Sequence, residues 1–417
     1  MSDEMTKRVR KLEPNRSQVV MRTEILDDTI SATHAARVLW NVAGTLDLSK
    51  FLIGVKSVDG GVGRRTLSPR MKLTLWLYAI SQGVGSARRI EILTRSDDGY
   101  RWLVGDLSVG HHTLSSFRGD HGDALDQLMT DILASLMHKG VLSLDLVAQD
   151  GIRIRAAATS PSFRLRPSLH RCREQAALHL RATLAQGDDP ELTHAQKVRR
   201  ETAARDFQKR VEAAISTVEE LQSKRRPSDK PARASTTDAE ARIMKMADGG
   251  FRAAYNVQMA TAGSPLGGPR TVVGLRVTNV GSDMGSVTPM LADIERRNGK
   301  LPKVLLADAN HAAHECVRTA TEKGVTVLIS VPERSQSNGP HADNDPAIVA
   351  WRERMDSDEG KKIYRARAGL CELMNAHLRT HHGVDNFLVR GIAKVTCVAL
   401  LAGIASNILQ HATTLLS

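Results

Sequence analysis

Three acidic residues stand where remote parts of the chain could bring carboxylates together: Asp150 closing VLSLDLVAQD, Asp308 closing KVLLAD, and Glu372 within KKIYRARAGLCELM. The first two end apolar runs of strand character, and the third lies in a segment of helical character. Strand ends of an open α/β sheet, with a helix laid across them, are where side chains distant in sequence converge. Converging carboxylates repel one another unless a hard divalent cation lies among them, and Mg²⁺ takes oxygen ligands while keeping part of its water. Such a site performs phosphoryl transfer: with two ions roughly 4 Å apart, one activates the attacking water or hydroxyl and the other stabilises the leaving oxygen. Each acid also has an ordinary reading. Asp150 before Gly151 is a turn pair, Asp308 caps a helix beginning near Ala312, and Glu372 has Arg365, Arg367 and Arg379 as partners on a helix surface.

The elements that must position these acids differ along the chain. The N-terminal part, residues 1–140, reads as a helical domain. Ser68-Pro69 and Ser86 mark helix starts, and Leu73, Trp76, Leu77 and Ile80 recur at helical spacing. SVGHHTLSSFRGDH, residues 108–121, places Thr113, Ser116 and Arg118 on a short polar helix. An amphipathic helix follows from about Asp123 to His138 and is stopped by Gly140. That is the profile of a helix-turn-helix-like DNA-binding element, with an ordinary helical hairpin as the alternative.

From 141 to 417 the pattern is α/β. VLSLDLVAQD and GIRIRAA, split by Asp150-Gly151, predict a hairpin. Ala204, Phe207, Val211, Ala214, Val218 and Leu221 then step by 3, 4, 3, 4, 3, predicting a helical arm or antiparallel hairpin inserted at about 160–250. After the polar linker KRRPSDKPARASTTDAEAR, strands are expected at Ala254 to Met259 and Thr271 to Val277. A helix near 285–297, the strand ending at Asp308, a helix near 312–323 and the strand Val325 to Ile329 complete a mixed sheet covered by helices. A helix from about Ile363 to Leu378 carries Glu372, and Trp351 reads as core or surface packing.

At 417 residues, 41% hydrophobic and 25% charged, the composition is that of a soluble globular protein with room for two or three domains. The excess of 58 Lys and Arg over 46 Asp and Glu, formally +12, favours a polyanionic partner over an acidic small molecule. Cys172, Cys316, Cys371 and Cys397 show no CxxC spacing, which argues against a zinc site or a disulfide framework and suits a reducing cytoplasm. MSDEMTKRVRKLEPNR has no apolar core for a secretory signal, and VTCVALLAGIASNIL, residues 395–409, reads as a buried helix rather than a membrane span.

Taken in order, the segments SPRMKLTLWLYAISQGVGSARRIE and VGHHTLSSFR, then VAQDGIRIRAAA, DAEARIMKMADGGFRAAYNVQMA and VTNVGSDMGSVTPML, and finally KVLLADANH and KKIYRARAGLCELMNAHLR with FLVRGIAK make a set. In that set the chain resembles the DDE transposases of bacterial insertion sequences. The likeness spans most of residues 25–410. It implies an RNase H-like catalytic domain over 141–417, interrupted by the inserted arm, behind an all-helical DNA-binding domain. It also implies Mg²⁺-dependent cleavage at transposon ends and strand transfer into target DNA, with Asp150, Asp308 and Glu372 as the metal-binding catalytic triad. Two ions are expected, with Mn²⁺ able to substitute. Arg88, Arg89, Thr113, Ser116, Arg118, Tyr364, Arg367 and Arg379 are the implied DNA contacts. The implied partners are double-stranded DNA, both terminal inverted repeats and target, and a second copy of the chain when two ends are synapsed, in a nucleoid-associated cytoplasmic protein. Ala309-Asn310-His311 follows the second acid where many relatives carry glycines, and Arg379 stands where relatives often carry Lys. Two alternatives use the same fold: a catalytically inactive DNA-binding or regulatory derivative, and an RNase H-like nuclease without strand transfer.

Overall fold

The computed structural model describes residues 17, 19, 23–55, 65–186, 191–264, 266–332, 343–372, 375 and 385–417. The N-terminal part is helical: α1 (Ala35–Thr45), α2 (Pro69–Ser81), α3 (Ala87–Ser96), α4 (Asp98–Val104), α5 (His111–Asp120) and α6 (Gly122–His138). Ser86 caps α3 by accepting the Arg89 amide, and Pro69 opens α2, as the sequence predicts. Gly140, at φ +70°, supplies the left-handed residue that ends α6.

The sheet contains β1 (Leu146–Arg155), β4 (Arg242–Lys245), β5 (Phe251–Ala262), β6 (Thr271–Thr278), β7 (Val304–Ala307) and β8 (Thr326–Ile329). Its order is β4-β5-β1-β7-β8, with β6 also paired to β5. β1 is antiparallel to β5 and parallel to β7, and β7 is parallel to β8. This is the α/β, RNase H-like mixed sheet with flanking helices that was expected.

The expected hairpin at Asp150-Gly151 does not form. Both apolar runs belong to one strand, β1, which passes straight through the pair. A Cβ at residue 151 would overlap the side chains of Gln258 and Asp283, so Gly151 is needed for close packing rather than for a turn. The polar linker also conceals structure: a short strand β3 (Arg233–Ser235) pairs with β2 (Phe163–Leu165), and β4 begins at its last residue.

The inserted arm is the helix pair α7 (Arg166–Ala185) and α8 (His194–Ser223), antiparallel as shown by Arg166 meeting Glu219 at 3.2 Å. Its 3-4 stripe is buried at Ala204, Val211, Ala214 and Val218, and the last three pack with Leu169, Ala232 and Ala234 into a small core of their own.

α9 (Val287–Asn298), α10 (His314–Glu322), α11 (Pro346–Asp356) and α12 (Asp358–Tyr364) follow. The α-helix expected from about Ile363 starts earlier, at Asp358, and gives way to a π-helical turn at Ala368–Glu372. The apolar segment near the C-terminus is α13 (Ile392–Gln410), long and apolar enough to cross a membrane, but packed against α2, α5, α6 and β6. Its Asn407 side chain bonds both the N–H and the C=O of Val272 on β6, at 2.8 and 2.9 Å. One apolar core runs from the N-terminal helices through α13 to the sheet.

Candidate active site

β1 and β7 run parallel with Leu146 opposite Val304, Val147 opposite Leu305 and Ala148 opposite Leu306. The offset is 304 − 146 = 158, the same as 308 − 150. Side chains alternate along a strand, so Asp150 and Asp308 share a sheet face, one step of two residues beyond the last ladder pair. The strands are held there by Val147, Ala148, Leu305 and Leu306, all fully buried.

Asp150 is half-buried. Its Oδ1 accepts the Gly151 amide and its Oδ2 accepts the Asn375 side-chain amide, both at 2.8 Å. Burial raises its carboxyl above the usual range and neighbouring Asp308 adds to that, against the Gly151 amide, His311 and Arg367. Asp308 moves the other way. Burial works to raise it, but His311 and Asn310 outweigh burial and hold it below the usual value. Asp308 Oδ1 meets His311 Nδ1 at 2.6 Å and accepts the Asn310 amide at 3.0 Å, while Oδ2 accepts the Asn310 side chain at 2.9 Å. Capping its own 3-10 turn is therefore part of what Asp308 does.

The π turn carrying the third acid lies against β1 and β5. π turns are local insertions that re-aim side chains and recur at functional sites. Here Cys371 is buried close to Asp150, and burial followed by the Asp150 charge pushes its thiol far up, so it stays neutral. Glu372 is exposed and ion-paired to Arg367 at 3.0 Å. Arg367 also lies over the ring of Tyr364, 5.9 Å from its centroid, and burial raises the Tyr364 hydroxyl. Asp150 and Asp308 are thus brought together, with Glu372 on the adjoining turn but directed to Arg367.

Whether these residues suit a divalent cation is answered by the charge of the pair. Burial raises the Asp150 carboxyl, the Asp308 charge raises it further, and a hard cation relieves that repulsion through oxygen donors, so the two aspartates fit such an ion. Among the described residues no group of three His, Cys, Asp or Glu is yet gathered about one point. Glu372, the third acid named from the sequence, is held by Arg367 at 3.0 Å.

The expected DNA contacts separate by exposure. Arg88 and Arg89 on α3, and Thr113 and Ser116 on α5, are exposed on two helices that pack together. Arg118 is turned inward: it is buried, stacks on Trp76 at 4.5 Å and donates to the Gly85 carbonyl, so in this fold it secures the helices instead of facing DNA. Trp351 is fully buried and donates to the Ile329 carbonyl at 2.9 Å, a core residue with no face for a base. Arg379 lies outside the described residues. What the sequence reading missed are Asn375 and Gln258, and it noted His311 only as a departure from relatives; for Gln258 the available signal was a polar residue inside the apolar run YNVQM.

Two family models match the chain: Transposase DDE domain over residues 312–412, and Transposase domain (DUF772) over residues 24–120. In these two segments the chain is similar to transposases, the later one to their DDE domain. The first match includes the π turn with Glu372, and the second includes α3 and α5. No curated protein and no solved structure matches it. DDE transposases act on DNA and generally use divalent metal ions, which agrees with the charge of the aspartate pair.

Proposed function

We propose that the protein is a DNA transposase that cuts the ends of its own element and joins them to target DNA, with Asp150, Asp308 and Glu372 as the catalytic acids. The observation that supports this most directly is the parallel register that sets Asp150, within β1, beside Asp308 at the C-terminal end of β7, next to the turn bearing Glu372. The three acids would hold two Mg²⁺ ions, with Mn²⁺ able to substitute, which supply an activated water and stabilise the departing oxygen of an in-line displacement.

The chain's own residues then have distinct tasks. Asp150 and Asp308 present oxygen donors from rigid strands. Arg367 keeps Glu372 paired until DNA is present, and its guanidinium then turns to a phosphate, with Tyr364 beneath it and Arg379 as a further phosphate contact. In the first reaction water attacks the terminal phosphodiester, releasing a 3′ hydroxyl and leaving a 5′ phosphate. In the second that hydroxyl attacks a target phosphodiester, so one bond forms as one breaks. Arg88, Arg89, Thr113 and Ser116 contact the terminal repeats, and two copies of the chain hold two ends together.

The test is incubation of the purified protein with duplex carrying the element's ends and a target plasmid, with Mg²⁺ or with EDTA. Metal-dependent cleaved and joined products are expected, lost in Asp150→Ala, Asp308→Ala and Glu372→Ala. Products released but never joined would point to a nuclease without strand transfer. Absence of both, or alanine variants as active as the wild type, overturns the catalytic reading and leaves a DNA-binding regulator.

A further inference from the structure

His311 is fully buried, yet both ring nitrogens face polar atoms: Nδ1 meets Asp308 Oδ1 at 2.6 Å, and Nε2 stands 3.3 Å from Gln258 Oε1. Gln258 is itself fixed. Its side-chain amide donates to Asp283 Oδ1 at 2.6 Å and to Asn256 Oδ1 at 3.2 Å, and its Oε1 accepts Gln149 Nε2 at 3.1 Å. Asp283 is an acceptor only, so it settles which end of the Gln258 amide faces His311. Arg153 anchors Asp283 in turn, at 3.0 Å. The chain of contacts crosses β1 over Gly151, where no side chain intervenes.

We propose that His311 is a positioning residue for the Asp308 carboxylate, clamped between Asp308 and an amide whose orientation Asp283 imposes. This rests on the reading of Asp308 as a catalytic, metal-binding acid. Three observations carry it. The ring is wholly enclosed, so its plane is set by packing and by Gln258 rather than by solvent. The contact to Asp308 is the shortest that carboxylate makes among the described residues. And the polar network behind it occupies a strand interior where apolar residues would serve packing alone, an arrangement whose return is a fixed carboxylate angle.

The test compares three variants of the full-length protein: His311→Asn, whose amide can replace Nδ1; His311→Gln, whose longer side chain overshoots Asp308; and His311→Phe, which keeps a ring without nitrogens. Mn²⁺ binding without DNA is followed by electron paramagnetic resonance, and kcat and KM for end cleavage are measured alongside. His311→Asn is expected to stay within about 5-fold of wild type, while His311→Gln weakens Mn²⁺ binding and lowers kcat by about 10–100-fold with KM for DNA little changed. His311→Phe, if it folds, matches His311→Gln. Should it not fold, the Asn and Gln pair still decides, because a role in packing alone makes two amides of similar polarity fall together. Equal Asn and Gln variants, or an Asn variant as poor as Gln, overturn the proposal. If wild type binds Mn²⁺ but cuts no DNA, the transposition reading fails separately, and the order of Mn²⁺ affinities alone upholds or overturns the role of His311.

Discussion

Asn375 donates its side-chain amide to Asp150 at 2.8 Å, while Glu372, three residues earlier, is paired with Arg367 instead. Asn375, three residues past the π turn, thus occupies Oδ2 of the first aspartate with an amide. Because the Glu372 to Arg367 pair is exposed on the glutamate side, Glu372→Ala should change stability by less than about 1 kcal/mol while abolishing cleavage. Asn375→Ala removes a donor to the ionised Asp150, so that carboxyl should titrate still higher. Denaturant unfolding and carboxyl NMR titration check the two outcomes.

The paired aspartates should respond oppositely to neutralisation. Folding raises the Asp150 carboxyl above 3.8, so the folded state holds that proton more tightly, and stability falls as pH climbs from 3.8 through the raised value. Folding lowers Asp308, so its stabilisation is present above 3.8 and is lost as pH drops through the folded value. Asp150→Asn should then raise the melting temperature at neutral pH, and Asp308→Asn should lose about 1–3 kcal/mol with its charged hydrogen bonds. Thermal melts of both variants across pH 3 to 7, on the order of one unit per step, read both signs. Melts that shift in the same direction would contradict the assignment.

Arginines of the N-terminal helices should divide by exposure. Arg88→Ala and Arg89→Ala should leave stability nearly unchanged and lower the salt dependence of DNA binding by about one phosphate contact each. Arg118→Ala should destabilise by about 1–3 kcal/mol, since it strips a buried guanidinium from Trp76 and from the Gly85 carbonyl. DNA-binding titrations at several salt concentrations, beside unfolding curves, separate the groups.

Trp351 offers a test of core against nucleic acid. Trp351→Phe removes the bond to the Ile329 carbonyl and part of a buried ring system, a loss of about 1–3 kcal/mol. Affinity for single-stranded or flipped-base DNA should not move, as fluorescence anisotropy would show.

Gly151→Ala should destabilise by about 1–3 kcal/mol by overpacking, although residue 151 has an ordinary strand backbone. Its unfolding midpoint in urea measures this, and a variant as stable as wild type would mean that Gln258 and Asp283 move aside at no cost.

Much of this was legible from residue order, and the failures have physical causes. The apolar runs around Asp150 and Asp308, the 3-4 stripe of the arm and the caps at Ser86 and Gly140 are local signals, and local signals survive folding. Asp150-Gly151 misled because glycine serves two needs, left-handed backbone and close approach, and the approaching Gln258 lies 107 residues away (258 − 151). β3 and β4 hide in a polar stretch because their pairing comes from β2 and β5, not from their own composition. The direction of Glu372 was beyond reach for a related reason. A π turn displaces every later side chain about the helix axis, and nothing in AGLCE announces one.

α13 brings one consequence for how the protein is made. Its apolar faces complete the packing of α2, α5 and α6, which precede it by more than 250 residues, since 392 − 138 = 254. During synthesis those helices must wait, with uncovered apolar surface, until residues 392–410 have left the ribosome. Copies truncated before residue 392 should therefore yield insoluble chain rather than a free N-terminal fragment able to occupy DNA.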